Sequence, residues 1–152
     1  MSNSPRGILA YGYDLGGPEN GWNLRGVEKY GNYTFPDWYN EEGDSWGDQA
    51  EALLLNKIVN FTEIWKTGLV DYFARKTEAQ KQVGVSIVRY GTYDYSGYIL
   101  ATKVHSGPDW GTCPVEISLD HSASAKLHRA LSAMQIQPKQ IEPKWILGCF
   151  YG

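Results

Sequence analysis

Asp14 is the residue whose setting comes closest to that of a reaction site. It sits in the run Gly7–Gly17, GILAYGYDLGG, where Ile8, Ala10, Gly12 and Asp14 alternate with Leu9, Tyr11, Tyr13 and Leu15. Alternation with period two reads as a strand whose two faces carry these two sets. A carboxylate at the end of a buried strand can exchange a proton or hold a cation, and glycines beside it let a phosphate or a backbone come close. Asp14, Gly16 and Gly17, with Trp22 and Trp110 as stacking surfaces, therefore form a candidate ligand site. The structural alternative is an Asx-type turn that ends the strand, with Gly16 and Gly17 supplying positive φ.

Other groups with reactive chemistry are fewer. His105, Asp109 and Cys113 are the one Cys/His/Asp neighbourhood, and it carries no nucleophile signature. His121 and His128 lie seven residues apart on an expected helix, about 10 Å along its axis at 1.5 Å per residue, which is too far to share one metal ion. No GxSxG, HExxH, P-loop or GxGxxG occurs. We expect no metal site and no cofactor.

The segment ILAYGYDLGG resembles the first phosphate-binding turn of the sugar-kinase and actin-type ATPases, where a strand ends in Asp-x-Gly-Gly. That resemblance implies a nucleotide site, although the second phosphate loop and the adenosine loop have no counterpart in this chain. A strand-terminal Asp14 also resembles the first metal-binding carboxylate of ribonuclease-H-like nucleases, with Asp94, Glu116 and Asp120 as further acids. Their fold opens with three antiparallel strands, whereas the clearest meander here follows two helices.

Aromatic and acidic residues form a second candidate. The chain has eleven tyrosines and six tryptophans. Gly16–Gly47 is rich in Gly, Asn and acids, yet it holds Trp22, Tyr30, Tyr33, Phe35, Trp38, Tyr39 and Trp46. Disordered segments are poor in aromatics, so this one should fold down over the domain. Residues 1–48 hold eight acids and three bases, a balance of −5, and the remainder must be +2 to give the overall −3. Trp38, Tyr39, Glu41, Glu42, Asp44 and Trp46 form the candidate partner-binding surface, an acidic patch with planar side chains for a basic protein. A merely solvated acidic loop, and aromatics that close the core, are the alternatives.

The elements that must position these residues follow from periodicity. Leu24–Tyr30 reads as a short strand. A helix opens at Ser45, with Asp48 three residues on as capping partner, and presents Ala50, Leu53, Leu54 and Ile58 to the core. A second, Gly68–Val83, carries Leu69, Tyr72, Phe73 and Val83 on one face and an Asp71–Arg75 pair, with Gly84 as its cap. Phe61 and Trp65 are expected in the joint between them.

Val85–Tyr90, Tyr98–His105 and Thr112–Leu119 read as a meander of strands. A third helix runs from Asp120 or Ser122 to Gln135, with Ala123, Leu127, Ala130, Leu131 and Met134 inward. The almost wholly apolar Lys144–Tyr151 reads as a strand covered on both faces and paired with the first strand at the sheet centre. The whole is an α+β fold: one domain over residues 1–152, a mixed, mostly antiparallel sheet of five or six strands, three helices on one face and a long aromatic loop.

A length of 152 residues fits one domain. The net charge of −3 argues against a general nucleic-acid binder. Cys113 and Cys149 are not in metal or CxxC spacing, no run approaches a membrane span, and MSNSPRG is no secretory leader, so a reduced cytoplasmic setting is expected. The bracketing segments ILAYGYDLGGPENGW and PKWILGCFYG are similar to small uncharacterised proteins of actinobacteria and their phages, a resemblance that implies a cytosolic setting and no particular activity. We expect a binding or modulator protein from a phage or mobile element, engaging a host protein through the acidic, aromatic loop, rather than an enzyme. The alternative is a nucleotide- or sugar-binding sensor or hydrolase with its site at the end of the first strand.

Overall fold

The computed structural model describes residues 5–27, 37–107 and 111–151. Alternation in the first strand becomes the plan of the fold. Strand β1 (Pro5–Gly17) pairs antiparallel with β2 (Gly21–Trp22), with β4 (Ser96–Ser106) and with β5 (Lys144–Tyr151). Strand β3 (Ser86–Thr92) pairs antiparallel with β4, and its end meets β5 in parallel at Gly91–Phe150 and Thr92–Tyr151. The order β1–β4–β3–β5 thus returns to β1, and four strands close into a ring. Closure leaves β1 a hydrogen-bonded neighbour on each side, as expected for the centre of the architecture.

The ring separates two cores. Inside it lie Ile8 and Ala10 of β1 with Ile99 and Ala101 of β4, flanked by Val88, Tyr90, Ile146 and Phe150. A register shift between Tyr11 and Gly12 lets the inward set continue past an extra residue in β4, and any Cβ at Gly12 would overlap the Leu100 carbonyl. Outside it, Tyr13, Leu15, Tyr98 and Leu100 meet the helices α1 (Trp46–Val59), α2 (Tyr72–Val83) and α3 (Ala123–Met134) in the larger core.

Helix α3 buries the five residues its spacing assigns, Ala123, Leu127, Ala130, Leu131 and Met134. A buried Leu or Met side chain contributes about 1.5–3 kcal/mol each. Helix α1 starts where Ser45 accepts a hydrogen bond from the Asp48 N–H at 3.2 Å. It stops at Asn60, which takes a left-handed conformation (φ 54°) that Asn tolerates better than most residues.

Four expectations are corrected. Thr112–Leu119 forms no strand: it is exposed along its length and is tied to β4 by Lys103 Nζ donating to the Ser118 carbonyl and hydroxyl at 2.9 and 3.0 Å. Strand β4 already has β1 on one side and β3 on the other over Tyr98–Ala101, and Pro114 lacks a donor. Leu24 makes an isolated bridge to Pro138 and the chain turns at Arg25–Gly26, so no strand runs onward through Val27.

Helix α2 begins at Tyr72, because Gly68 (φ 91°) and Asp71 (φ 63°) interrupt the backbone before it. Strand β5 is indeed beside β1, but its outer face is open: Leu147 is 81% exposed and Cys149 is exposed as well. On that outer face only Trp145 is half-buried, against Tyr11 and His105, whereas Ile146 and Phe150 pack in the ring core. With five strands, mostly antiparallel, and three helices, the α+β class holds.

Candidate functional site

At the end of β1 the chemistry of Asp14 is already engaged. Its Oδ1 accepts the Tyr90 hydroxyl at 2.7 Å and the Gly16 N–H at 3.0 Å. Its own N–H donates to Gln140 Oε1 at 2.9 Å, and Gln140 Nε2 donates to the Gly12 carbonyl at 2.8 Å. The bond to Gly16 is that of an Asx turn, formed within β1 rather than ending it, and it is joined by a tyrosine of β3, on the opposite side of the ring. Burial, and then the hydrogen bond and charge of Asp14, push the Tyr90 hydroxyl well above its ordinary value, so it stays a donor. Tyr90 reaches Asp14 because it lies opposite Gly97, where any Cβ would overlap its ring.

The glycines serve the same turn. Gly16 has the expected positive φ (71°) and a Cβ there would overlap the Gly21 carbonyl; Gly17 does not take positive φ, and its need for glycine is the close approach of the Ser96 carbonyl. They pair with Trp22 and Gly21 of β2 and bring the backbones of β1, β2 and β4 together. Trp22 is 1% exposed and packs on Trp46 at 5.2 Å and Tyr98 at 6.5 Å between ring centroids. It supports the core and offers no face to a ligand, a correction to the expected stacking role. Trp110 and Asp109 lie outside the described residues. A cleft of about 910 Å³ nearby is lined by Tyr13, Arg25, His128, Gln140 and Ile141, among others, and by none of Asp14, Gly16, Gly17 or Trp22.

The aromatic, acidic loop divides into an inner and an outer layer. Trp46 is 2% exposed within the core, again a correction, and Trp38 rests on it at 5.6 Å with its Nε1–H donating to the Met134 carbonyl at 2.8 Å. Tyr39 meets Trp38 edge-on at 6.2 Å. The aromatics of residues 37–46 thus pin the loop, as expected of a segment too apolar to float. Tyr30, Tyr33 and Phe35 lie outside the described residues.

Glu41, Glu42 and Asp44 remain fully on the outside. Gln49 fixes their backbone: its Nε2 donates to the carbonyls of Asn40 (2.7 Å) and Asp44 (2.6 Å), and its Oε1 accepts the Asn40 N–H. Asp37, Glu41, Glu42, Asp44, Asp48 and Glu51 are therefore six carboxylates on a constrained turn and first helical turns, with no Lys, Arg or His anywhere in residues 37–51. Asp48 lies at the N-terminus of α1, where the helix dipole favours a negative charge.

Sequence reasoning missed what lies next to this face. Between α1 and α2, Ile64, Trp65 and Val70 are 74%, 54% and 75% exposed, and Phe73 in the first turn of α2 is 67% exposed. Trp65 is therefore outside the helix joint, which Phe61 and Tyr72 fill at 6.1 Å. The expected Asp71–Arg75 pair does not form. Arg75 instead holds Glu63 with both its Nε and Nη2, the latter at 2.7 Å, and Nη1 donates to the Val70 carbonyl at 2.9 Å. This bond to Arg75 holds the Glu63 carboxyl below its ordinary value. The available signal was composition: Ile64, Trp65, Leu69 and Val70 fall between two helices, where polar residues are the rule.

The remaining candidates disperse. His121 and His128 are exposed, Cys113 and Cys149 are free thiols, and among the described residues no three His, Cys, Asp or Glu side chains form a metal-binding group. No described helix is long and apolar enough to cross a membrane. Compared with protein-family models, curated proteins and solved structures, the chain matches none of them.

Proposed function

We propose that the protein is a non-enzymatic binding or modulator protein of the cytosol that engages a basic protein partner through the face carrying Glu41, Glu42, Asp44 and Asp48. The observation that carries this reading is the constrained acidic turn and the start of α1: six carboxylates with no Lys, Arg or His in residues 37–51, of which Glu51 alone meets a base, Lys76, with the turn held by Gln49 and anchored from below by Trp38. A fixed array of like charge costs self-repulsion and contributes nothing to the core. It gives an oppositely charged partner faster encounter and a defined orientation. The resemblance to phage proteins suits a host nucleic-acid-handling protein as target, since such proteins carry basic surfaces. No observation favours the nucleotide or sugar reading, because Asp14 and its glycines are committed to the turn.

The test is capture from a native-source lysate, comparing the wild type with a variant in which Glu41, Glu42 and Asp44 are all changed to Lys. Partners bound by the wild type should be lost from the variant, and their association with the wild type should slow as salt rises. Equal capture by both proteins would remove the acidic face from the account.

A further inference from the structure

The acidic face runs into a groove of about 580 Å³ between α1 and the connector to α2. Its floor is Leu55, Phe61 and Tyr72, and Ile64 stands at its edge. Four carboxylates line it, Asp44, Asp48, Glu51 and Glu63, against one base, Lys76, which lies 3.6 Å from Glu51. Beyond the edge the apolar surface continues through Val70, whose carbonyl shares the Arg75 guanidinium with Glu63. Isolated exposed apolar residues are normal on any protein. Ile64, Trp65, Val70 and Phe73 are four large exposed apolar residues within ten residues of sequence, and apolar side chains concentrated in this way mark interaction sites.

The connector is built to present this surface. Left-handed residues at Asn60, Gly68 and Asp71 set its path, the Phe61 N–H donates to the Leu55 carbonyl at 3.0 Å, and Arg75 ties its two arms together. Resting on the reading above, we infer that the groove docks one kind of occupant: a cationic amphipathic helix of the partner protein. Charge complementarity selects the cation, since Glu63 is paired with Arg75 and Glu51 with Lys76 while Asp44 and Asp48 meet no base among the described residues. The apolar floor selects an amphipathic segment rather than a purely basic one. A helix follows from the backbone, because the groove is walled by helices and a connector and offers no strand edge, so the occupant must satisfy its own N–H and C=O groups.

Three peptides test this by backbone amide NMR titration of the full chain: a Lys/Leu amphipathic helix, a Lys/Ser peptide of equal charge and a Glu/Leu helix. The Lys/Leu helix should bind, with shifts at Glu51, Phe61, Ile64 and Phe73. Ile64→Ser and Phe73→Ser should each weaken it about tenfold. Both side chains are exposed, and an unchanged melting temperature confirms that the variants fold. Equal binding of the Lys/Ser peptide, with shifts confined to residues 41–48, would overturn the helix-in-groove inference while leaving the acidic-face reading standing. Binding of the Lys/Leu helix that survives the triple Lys variant at Glu41, Glu42 and Asp44 would support the groove and contradict that reading. Preference for the Glu/Leu helix, no binding of any peptide, or concentration-dependent self-association abolished by Ile64→Ser would each overturn the inference, the last by making the occupant a second copy of this chain.

Discussion

The end of β1 and the surface from Glu41 to Phe73 both concentrate reactive or recognisable side chains, and they use them in opposite directions. Around Asp14 the polar groups bond to one another: the carboxylate takes Tyr90 and its own turn, Gln140 bonds β1 at both Gly12 and Asp14, and Trp22 is sealed beneath. On the α1–α2 side the internal bonds hold the frame, Gln49 under the acidic turn and Arg75 across the connector, while the carboxylates and apolar side chains are left facing out. Satisfied polar groups close to a core indicate stability. Charges and apolar groups held outward by a satisfied frame are the pattern on which the proposed recognition rests.

This contrast breaks first where the β1 end is most deeply buried. Trp22→Ala should cost about 3–5 kcal/mol in urea denaturation by opening a cavity among Trp46 and Tyr98. A loss under about 1 kcal/mol would mean that Trp22 is not part of the core. Next comes the Tyr90–Asp14 bond. Tyr90→Phe should cost about 1–3 kcal/mol, because a charged acceptor loses a partner, and it should leave partner capture unchanged.

The same pair sets an alkaline signature. A tyrosine whose folded pKa lies above its ordinary value of 10.0 keeps its proton when the unfolded chain has released it. Stability must therefore fall as pH rises past about 10. Tyr13 and Tyr39 are raised in the same direction, chiefly by burial, so Tyr90→Phe should flatten the pH dependence of the melting temperature without abolishing it. An unchanged slope would show that Tyr90 ionises freely.

The outward surface should behave in the reverse manner. Ile64→Ser and Phe73→Ser should change stability by less than about 0.5 kcal/mol while altering binding. The smallest effect belongs to Glu63→Gln. Glu63 is held below its ordinary 4.5, so its contribution is present above that pH and is lost as pH falls through the lower folded value. Removing it should flatten stability only on the acid side of pH 4.5, and an effect at neutral pH larger than that of Tyr90→Phe would reverse the ranking of the two regions.

What the sequence disclosed is what local rules decide. The α3 stripe and the Ser45 cap depend on residues within a few positions of one another, and both are present. The β1–β5 pairing was legible from the apolar character of both segments. The face exposed by β5 was not, because it depends on where the helices land. Thr112–Leu119 has strand composition and still finds no partner, since β4 is already paired on both sides over Tyr98–Ala101. The acids of the candidate partner face were legible because an unmatched run of charge must stay in water. Trp22 and Trp46 were misassigned for the converse reason: an aromatic in a loop is as suited to closing a core as to meeting a partner, and only the fold decides. The connector escaped because its arrangement rests on Arg75 choosing Glu63 over Asp71, a contact twelve residues apart.

The most direct measurement compares association rates of the captured partner, across ionic strength, for the wild type, Asp14→Asn and the variant with Glu41, Glu42 and Asp44 changed to Lys. With recognition on the outward surface, Asp14→Asn should associate at the wild-type rate with the wild-type salt dependence, and the triple variant should be slow with a flattened dependence. A triple variant that keeps the wild-type rate while Asp14→Asn loses it would place recognition at the end of β1 and contradict the account.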